Sequence, residues 1–260
     1  MINTYSSFLY GFTIDSDNKY LDFKEGAGSE VTAVLTTGDY TLQDLMQNIE
    51  DAMNEAGGLS YTVTANRATR IITITVASST MNLLASTGTN AASGVWSTIG
   101  FALTDSGNVT SKAGTTAVSS LYYPQYKLQD YVDQKDSRKL REATLQTSSA
   151  GLVRVHSFGV DRMFEFSMKF ATDIFQPSSG PIVNNSTGVD DLREFMQYCI
   201  QKKFLEFMPD KDSPNTFYRV VLESTSDDGK GMGYKLQEQY SKGLVGYYET
   251  GILKFRVIED

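Results

Sequence analysis

This 260-residue chain has little of what most catalytic and metal-binding sites require. It contains one cysteine, Cys199, and one histidine, His156. One cysteine excludes an internal disulfide, and one histidine excludes every metal motif that needs two imidazoles. Cys199 lies on the apolar stripe of a predicted helix, where a buried, unreactive thiol is the usual outcome, and His156 lies in a predicted strand. We therefore expect no catalytic residue, no metal site and no cofactor.

Long apolar runs and basic stretches are also missing. No apolar run approaches the roughly 20 residues of a membrane helix, and residues 1–5 lack the basic and apolar regions of a signal peptide. The formal net charge is −8, and the small basic cluster at 135–141 is interleaved with acidic residues. We expect a soluble protein that neither inserts into a membrane nor binds nucleic acid sequence-specifically, because nothing here attracts a phosphate backbone.

The short motif matches in the sequence do not indicate a catalytic, phosphate-binding or calcium-binding site. Residues 16–19 contain overlapping S-x-x-K and S-D-N elements, but a serine-dependent site needs them on separate parts of a fold, so we interpret the segment as a turn. The glycines of residues 229–233 lack the spacing and the terminal Lys-Ser/Thr pair of a phosphate-binding loop. The acidic pairs at 15/17 and 227/228 do not extend into a calcium loop.

Strand-favouring residues are abundant. There are 15 tyrosines and 14 phenylalanines, and they accompany many Thr, Val and Ile residues, which favour a pleated, half-buried surface. Alternating apolar residues and turn signals locate the strands. The predicted strands are a hairpin over 12–23 with its turn at 15–18, a strand at 31–35, a hairpin of 61–65 with 72–76, a strand at 164–170, and strands at 218–222 and 253–257.

Two segments have helical periodicity instead. Apolar residues recur at helical spacing over 42–56, Thr41 is a suitable N-cap with Asp44 three residues later, and glycines follow at 57 and 58. A second amphipathic stripe covers about 190–204, with acidic residues at its start and lysines near its end. Each segment predicts one amphipathic helix.

The predicted fold class is α+β and mainly β, with two β-rich domains that each contain one helix. A change in composition near 115–120 places the domains at 1–117 and 118–260. The Ser/Thr/Gly-rich stretch 78–116 is predicted to be loops with short turns, and both 78–116 and 124–150 are candidate arms that a neighbouring subunit could order.

Residues 11–105 resemble a module found in virion proteins of tailed bacteriophages. The features that carry this resemblance are Tyr20-Leu21-Asp22-Phe23, Gly38-Asp39-Tyr40-Thr41 leading into the helix, Tyr61-Thr62-Val63-Thr64, Ile72-Thr73-Ile74, and Leu83-Leu84 followed by Ile99-Gly100-Phe101. In the second part, residues 204–210 and 248–251 resemble the β-rich folds of tail-tube, distal-tail and related neck proteins.

This resemblance implies a structural component of the tail, baseplate or neck, located in the virion after synthesis in the host cytoplasm. The implied partners are copies of the chain, assembled as a ring, and other virion proteins; no enzyme activity is implied. An alternative is an adhesin-like or carbohydrate-binding module that uses exposed tyrosines, and a third is an enzyme with an all-carboxylate or backbone-built site. The candidate interface residues are Tyr122, Tyr123, Tyr126 and Tyr131, because tyrosine combines apolar area with a polar tip.

Overall fold

The fold comes from a computed structural model. It describes residues 7–118, 121–122, 132–140, 144–147, 153–156, 160–168, 192–201, 203–210, 213–224, 236–239, 244–250 and 252–258. The helices are α1 (Leu42–Ala56) and α2 (Leu192–Ile200). The strands are β1 (Ser7–Leu9), β2 (Phe12–Ile14), β3 (Tyr20–Glu25), β4 (Glu30–Val34), β5 (Gly38–Tyr40), β6 (Tyr61–Asn66), β7 (Ile71–Val76), β8 (Met81–Leu83), β9 (Ser111–Ala113), β10 (Leu121–Tyr122), β11 (Val132–Leu140), β12 (Thr144–Thr147), β13 (Val153–His156), β14 (Val160–Met168), β15 (Leu205–Met208), β16 (Tyr218–Ser224), β17 (Leu236–Gln239), β18 (Leu244–Thr250) and β19 (Leu253–Val257).

The chain divides into two compact units. We call Leu9–Ser120 the insert unit, and Met1–Phe8 together with Leu121–Asp260 the sheet unit. The predicted single division between residues 117 and 118 lies three residues before the end of the insert unit, and it differs from this division in the assignment of residues 1–8. No local sequence pattern indicates that β1 belongs to the sheet unit, because its neighbours in the sheet, β10 and β15, lie more than a hundred residues later in the chain.

The insert unit contains three small sheets and one helix. Its sheets are the pair β2-β5, the sheet β4-β3-β8 and the sheet β6-β7-β9, all antiparallel. Helix α1 begins with the predicted capping box, in which Thr41 and Asp44 each accept from the other's backbone N–H, and it ends before Gly57. Its buried stripe contains Leu45, Ile49 and Met53, so the helix closes the core against the strands.

The predicted hairpin over 12–23 is wrong, although both of its strands form. Strand β2 pairs with β5, and β3 pairs with β4 on one side and β8 on the other. Three successive residues of β3, Leu21, Asp22 and Phe23, are buried. Burial on both faces and pairing on both edges are typical of a central strand, and a two-stranded hairpin would leave one edge open.

Residues 78–116 are packed and do not form an arm. Strands β8 and β9 and a 3₁₀ turn at Ala91–Ser93 occur in this stretch. Val95, Trp96 and Ile99 are at most 1% exposed, and the rings of Trp96 and Phe101 lie 5.9 Å apart. The Ser/Thr/Gly composition suggested mobility, but a few large apolar side chains anchor the stretch in the core of the insert unit.

The sheet unit is organised around one seven-stranded sheet. The strand order is β10-β1-β15-β16-β19-β14-β11, so β1 lies inside the sheet and β11 lies at one end. Phe8 of β1 is the centre of an aromatic cluster, with ring centroids 5.1 Å from Phe195 of α2, 4.9 Å from Phe207 and 4.8 Å from Phe255. Burial of these rings is the main apolar contribution to this core.

The strands predicted at 164–170, 218–222 and 253–257 correspond to β14, β16 and β19. Strand β14 begins four residues earlier than predicted, and its described part ends at Met168. The described part of helix α2 ends at Ile200, before the predicted end at residue 204, and β15 begins at Leu205. All four residues of β15 are buried, which is typical of a strand covered on both faces.

Candidate functional site

The two residues that could have formed a thiolate and its base are both in regular structure. Cys199 is 1% exposed within α2, and burial raises the pKa of its thiol well above the ordinary value. A protonated, buried thiol is a poor nucleophile. His156 is the last residue of β13, where its backbone pairs with Thr144. These placements agree with their interpretation as structural residues.

Two properties of the described part of the chain bear on metal and membrane binding. No group of three or more His, Cys, Asp or Glu residues among the described residues is arranged to hold a metal ion. No described helix combines the length and the apolar character that a membrane crossing requires.

The acidic segment at 15–18 is a turn held mainly by its own side chains, and Asn18 Nδ2 also donates to the Thr98 hydroxyl at 3.4 Å. The amide N–H of Asp17 donates to Asp15 Oδ1 at 2.9 Å, and the amide N–H of Asp15 donates to Asn18 Oδ1 at 2.8 Å. Asn18 Nδ2 donates to the Thr13 carbonyl oxygen at 3.0 Å. The polar side chains of this segment therefore fix their own backbone, as Asp and Asn commonly do in turns.

Two carboxylates hold the 86–90 segment of the insert unit. Asp105 accepts from the N–H and hydroxyl of both Ser86 and Thr87, with donor–acceptor distances between 2.5 and 3.2 Å. Asp22, 2% exposed, accepts from the Thr32 hydroxyl at 2.7 Å and from the Asn90 amide N–H at 2.6 Å. The donors of these hydrogen bonds, on Ser86, Thr87, Thr32 and Asn90, are all neutral groups.

A third carboxylate fixes the segment that follows α1. Glu25 Oε1 accepts from the amide N–H groups of Gly58 and Leu59 at 2.8 and 2.9 Å and from the Tyr61 hydroxyl at 3.0 Å. Burial and the adjacent Glu25 carboxylate raise the pKa of Tyr61, so its hydroxyl stays a donor. This arrangement positions a loop and presents no reactive group.

Helix α1 also covers the outer edge of β6. Asn54 accepts from the Tyr61 N–H at 2.8 Å and donates to the Tyr61 carbonyl oxygen at 3.1 Å, and Glu50 Oε2 accepts from the Val63 N–H at 2.9 Å. These side chains take the place of a neighbouring strand. An edge covered in this way is protected from pairing with another chain.

The end strand β11 of the sheet unit differs from β6. It has nine residues, all paired antiparallel with β14, from Val132 opposite Met168 to Leu140 opposite Val160. It is the last strand of the sheet order, and within the described ranges no strand pairs with its other edge. The part of the predicted arm that lies in this strand is therefore sheet, and this strand is the longest described segment with an open edge.

The register places opposite charges side by side at this end of the sheet. Lys135 is opposite Glu165, and Glu165 is opposite Lys254 of β19. Nearby, the Arg256 guanidinium forms an ion pair with the Glu223 carboxylate. Opposite-charge pairs across strands stabilise a sheet modestly and specify its register. The charge-dense composition of 132–140 therefore fits a strand as well as a solvated segment.

The predicted interface tyrosines are not tested by this structure. Tyr122 is the last residue of β10, and its side chain lies outside the described part of the molecule. Tyr123, Tyr126 and Tyr131 lie outside the described residues altogether. The carbohydrate-binding alternative, which depends on them, stays a prediction.

Comparison with known proteins adds no family. No protein-family model and no curated protein sequence matches this chain.

Sequence reasoning missed β11 and β15, two strands of the seven-stranded sheet. Strand β11 has no apolar alternation, since its sequence is Val-Asp-Gln-Lys-Asp-Ser-Arg-Lys-Leu, and polar strands are easily assigned to loops. Strand β15 is only four residues long and follows α2 closely. The signal that could have located β11 is its charge pattern, which in antiparallel register places Lys135 opposite Glu165 and Lys139 opposite Asp161, although Arg138 lies opposite Arg162.

Proposed function

We propose that this protein is a structural subunit of a tailed-phage particle, in the tail, baseplate or neck. It acts by assembling with copies of itself into a ring and by contacting adjacent virion proteins. The observation that carries the proposal is the end strand β11, nine residues long and paired on one edge among the described strands. Such an edge presents a row of backbone donors and acceptors on which another chain can add.

The use of polar side chains within the described residues supports an architectural role. Asp22, Glu25 and Asp105 each accept several hydrogen bonds that fix loops, and Asn54 covers a strand edge. Cys199 is buried and protonated. A chain that uses its titratable groups in this way is suited to holding a shape, which is the output required of a ring subunit.

The two units suggest a division of labour. The insert unit has its own core around Ile49, Trp96 and Phe23, and the chain leaves the sheet unit at β1 and returns at β10, which are neighbouring strands. Neighbouring strands lie about 5 Å apart, so the insertion perturbs the large sheet little. We assign assembly to the sheet unit and presentation of a surface module to the insert unit.

Purified phage particles provide the test. Particles from a producing culture are separated on a density gradient, and their proteins are quantified by mass spectrometry. We expect this chain to co-purify with the particles at a constant ratio to the major tail and capsid proteins. A protein that remains in the soluble lysate, with none in the particles, would contradict the proposal. A host cytoplasmic protein followed through the same gradient controls for carry-over.

A further inference from the structure

The outer edge of β11 carries a charge pattern that complements itself. The strand contains Asp133, Lys135, Asp136, Arg138 and Lys139 within its nine residues. Charges on an end strand commonly prevent pairing with other chains. They do so only when the approaching strand places like charges together, so the sequence of β11 decides which partner is rejected and which is accepted.

Parallel pairing of two copies of β11 in register is unfavourable, because every charge would face its own copy. Antiparallel pairing about a two-fold axis normal to the sheet joins residues that lie on the same face. Centred on Asp136, this pairing places Asp133 opposite Lys139 twice, Gln134 opposite Arg138 twice and Val132 opposite Leu140 twice. Opposite charges and apolar residues are therefore matched at both ends of the strand.

Adjacent registers are worse. Centring on Lys135 places two lysines together and forms no opposite-charge pair. Centring on Ser137 places Asp136 opposite Arg138 twice but also Lys135 opposite Lys139 twice, so its two like-charge pairs offset the two opposite-charge pairs. Registers shifted further pair fewer residues of the strand. The Asp136 register contains a single like-charge pair, Asp136 with its own copy, and Arg138 of the other copy lies diagonally beside each Asp136, within reach of a long side chain.

We propose that the partner of β11 is the β11 strand of a second copy of this chain, paired antiparallel about Asp136. The contact is isologous, so it joins two seven-stranded sheets into one within a dimer, and a ring is built from such dimers through a second, different contact. Strand β10, at the other end of the sheet, has two described residues, which are too few to define such a register. The inference rests on the proposed function for its setting, and it adds that an assembly built with this contact contains an even number of subunits.

A pair of cysteine variants tests the register. In the proposed pairing the two Cα atoms of residue 136 lie roughly 4.5 to 5.5 Å apart, within the range that a disulfide spans. The two Cα atoms of residue 137 are diagonal and roughly 7 to 8 Å apart, at or beyond the limit for bridging. Cys199 is 1% exposed and is the only native cysteine, so the unsubstituted chain is the background control.

We expect Asp136→Cys to form a covalent dimer under mild oxidation, and we expect Ser137→Cys and the unsubstituted chain to remain uncrosslinked. Equal crosslinking of the two variants, or none in either, overturns the inference. If Asp136→Cys fails to crosslink while the chain still co-purifies with particles, the β11 contact is wrong and the proposed function stands. If Asp136→Cys crosslinks but the chain is absent from particles, the β11 contact stands and the proposed function is wrong.

Charge reversal provides a second, independent readout. Asp133→Lys faces Lys139 of the other copy twice, and its own cross-strand neighbour, Ser167, is neutral. We expect this variant to weaken dimerisation at least about tenfold in sedimentation velocity. A triple variant adds Lys139→Asp and Asp161→Lys. Lys139→Asp restores opposite charges between positions 133 and 139 of the two copies, and Asp161→Lys keeps opposite charges between positions 139 and 161 within one chain. Recovery of the dimer in the triple variant supports the register, and an unchanged dimer in Asp133→Lys contradicts it.

Discussion

At the scale of single residues, Asp105 shows how the insert unit uses a carboxylate. Its two oxygens accept four hydrogen bonds from Ser86 and Thr87. Desolvation alone would raise the pKa of Asp105, but the hydrogen bonds from Thr87 and Ser86 outweigh it and the pKa is lowered. Two loops that are distant in sequence are therefore joined most firmly when Asp105 is ionised.

Because the pKa of Asp105 is lower in the folded state, its contribution is present above the unfolded value of about 3.9 and is lost as the pH falls through the folded pKa. We expect Asp105→Asn to reduce the free energy of unfolding by about 1 kcal/mol at pH 7, since one oxygen replaces two charged ones. Urea unfolding between pH 2.5 and 7 measures this. The difference between the two proteins should shrink below about pH 4, and a constant difference at every pH would show that the charge is unimportant.

At the scale of elements, α1 was the most predictable part of the molecule. The apolar stripe of residues 42–53, the Thr41–Asp44 capping box and Gly57 are all local signals, and the helix has the predicted bounds. The hairpin of β6 and β7 is likewise confirmed, from Tyr61 opposite Val76 to Asn66 opposite Ile71. Local periodicity and turn residues are sufficient where the hydrogen-bonding partner follows closely in the chain.

Pairing between distant strands was not predictable in the same way. Strand β2 has its partner at β5, beyond two other strands, and Thr13 donates to Asp39 at 2.6 Å across this pair. The turn at 15–18 suggested a hairpin because it is closed by its own side chains, yet β3 is required between β4 and β8. A turn shows where the chain bends, and tertiary packing decides which strands then meet.

The contact between α1 and β6 predicts a measurable effect at the helix surface. Replacing Asn54 with Ala removes both hydrogen bonds to the Tyr61 backbone and leaves that edge of β6 to water. We expect a loss of about 1 kcal/mol in the free energy of unfolding relative to Glu55→Ala. The comparison is conservative, because at these neighbouring exposed positions Asn→Ala gains more helix propensity than Glu→Ala. Chemical denaturation of the two variants makes the comparison. Equal stability would mean that the edge of β6 needs no cover.

At the scale of the whole molecule, the fold class was predictable and the chain organisation was not. Aromatic and β-branched residues indicated a mainly β protein with two amphipathic helices, and this is confirmed. The role of β1 was hidden because Ser7, Phe8 and Leu9 are followed immediately by another apolar segment. Only the strand order shows that the first residues complete the sheet formed by the last 140.

The outer edge of β11 could be predicted only in part from the sequence. The sequence analysis of the candidate arm 124–150 noted that basic and acidic residues are interleaved at 135–141, but not what their order implies. In the structure, the order of the charges determines which residues face each other across the two strands: Lys139 is opposite Asp161, and Lys135 is opposite Glu165. Composition cannot distinguish a charged loop from a charged strand, because the difference lies in which residue is opposite each charge.

Self-assembly is the central claim, and negative-stain electron microscopy of the purified full-length chain tests it most directly. The account predicts closed rings of uniform diameter, with fewer or smaller assemblies in the Asp133→Lys variant because its β11 edge repels a second copy. A preparation of the unsubstituted protein that contains only single, separate subunits at micromolar concentration would contradict it.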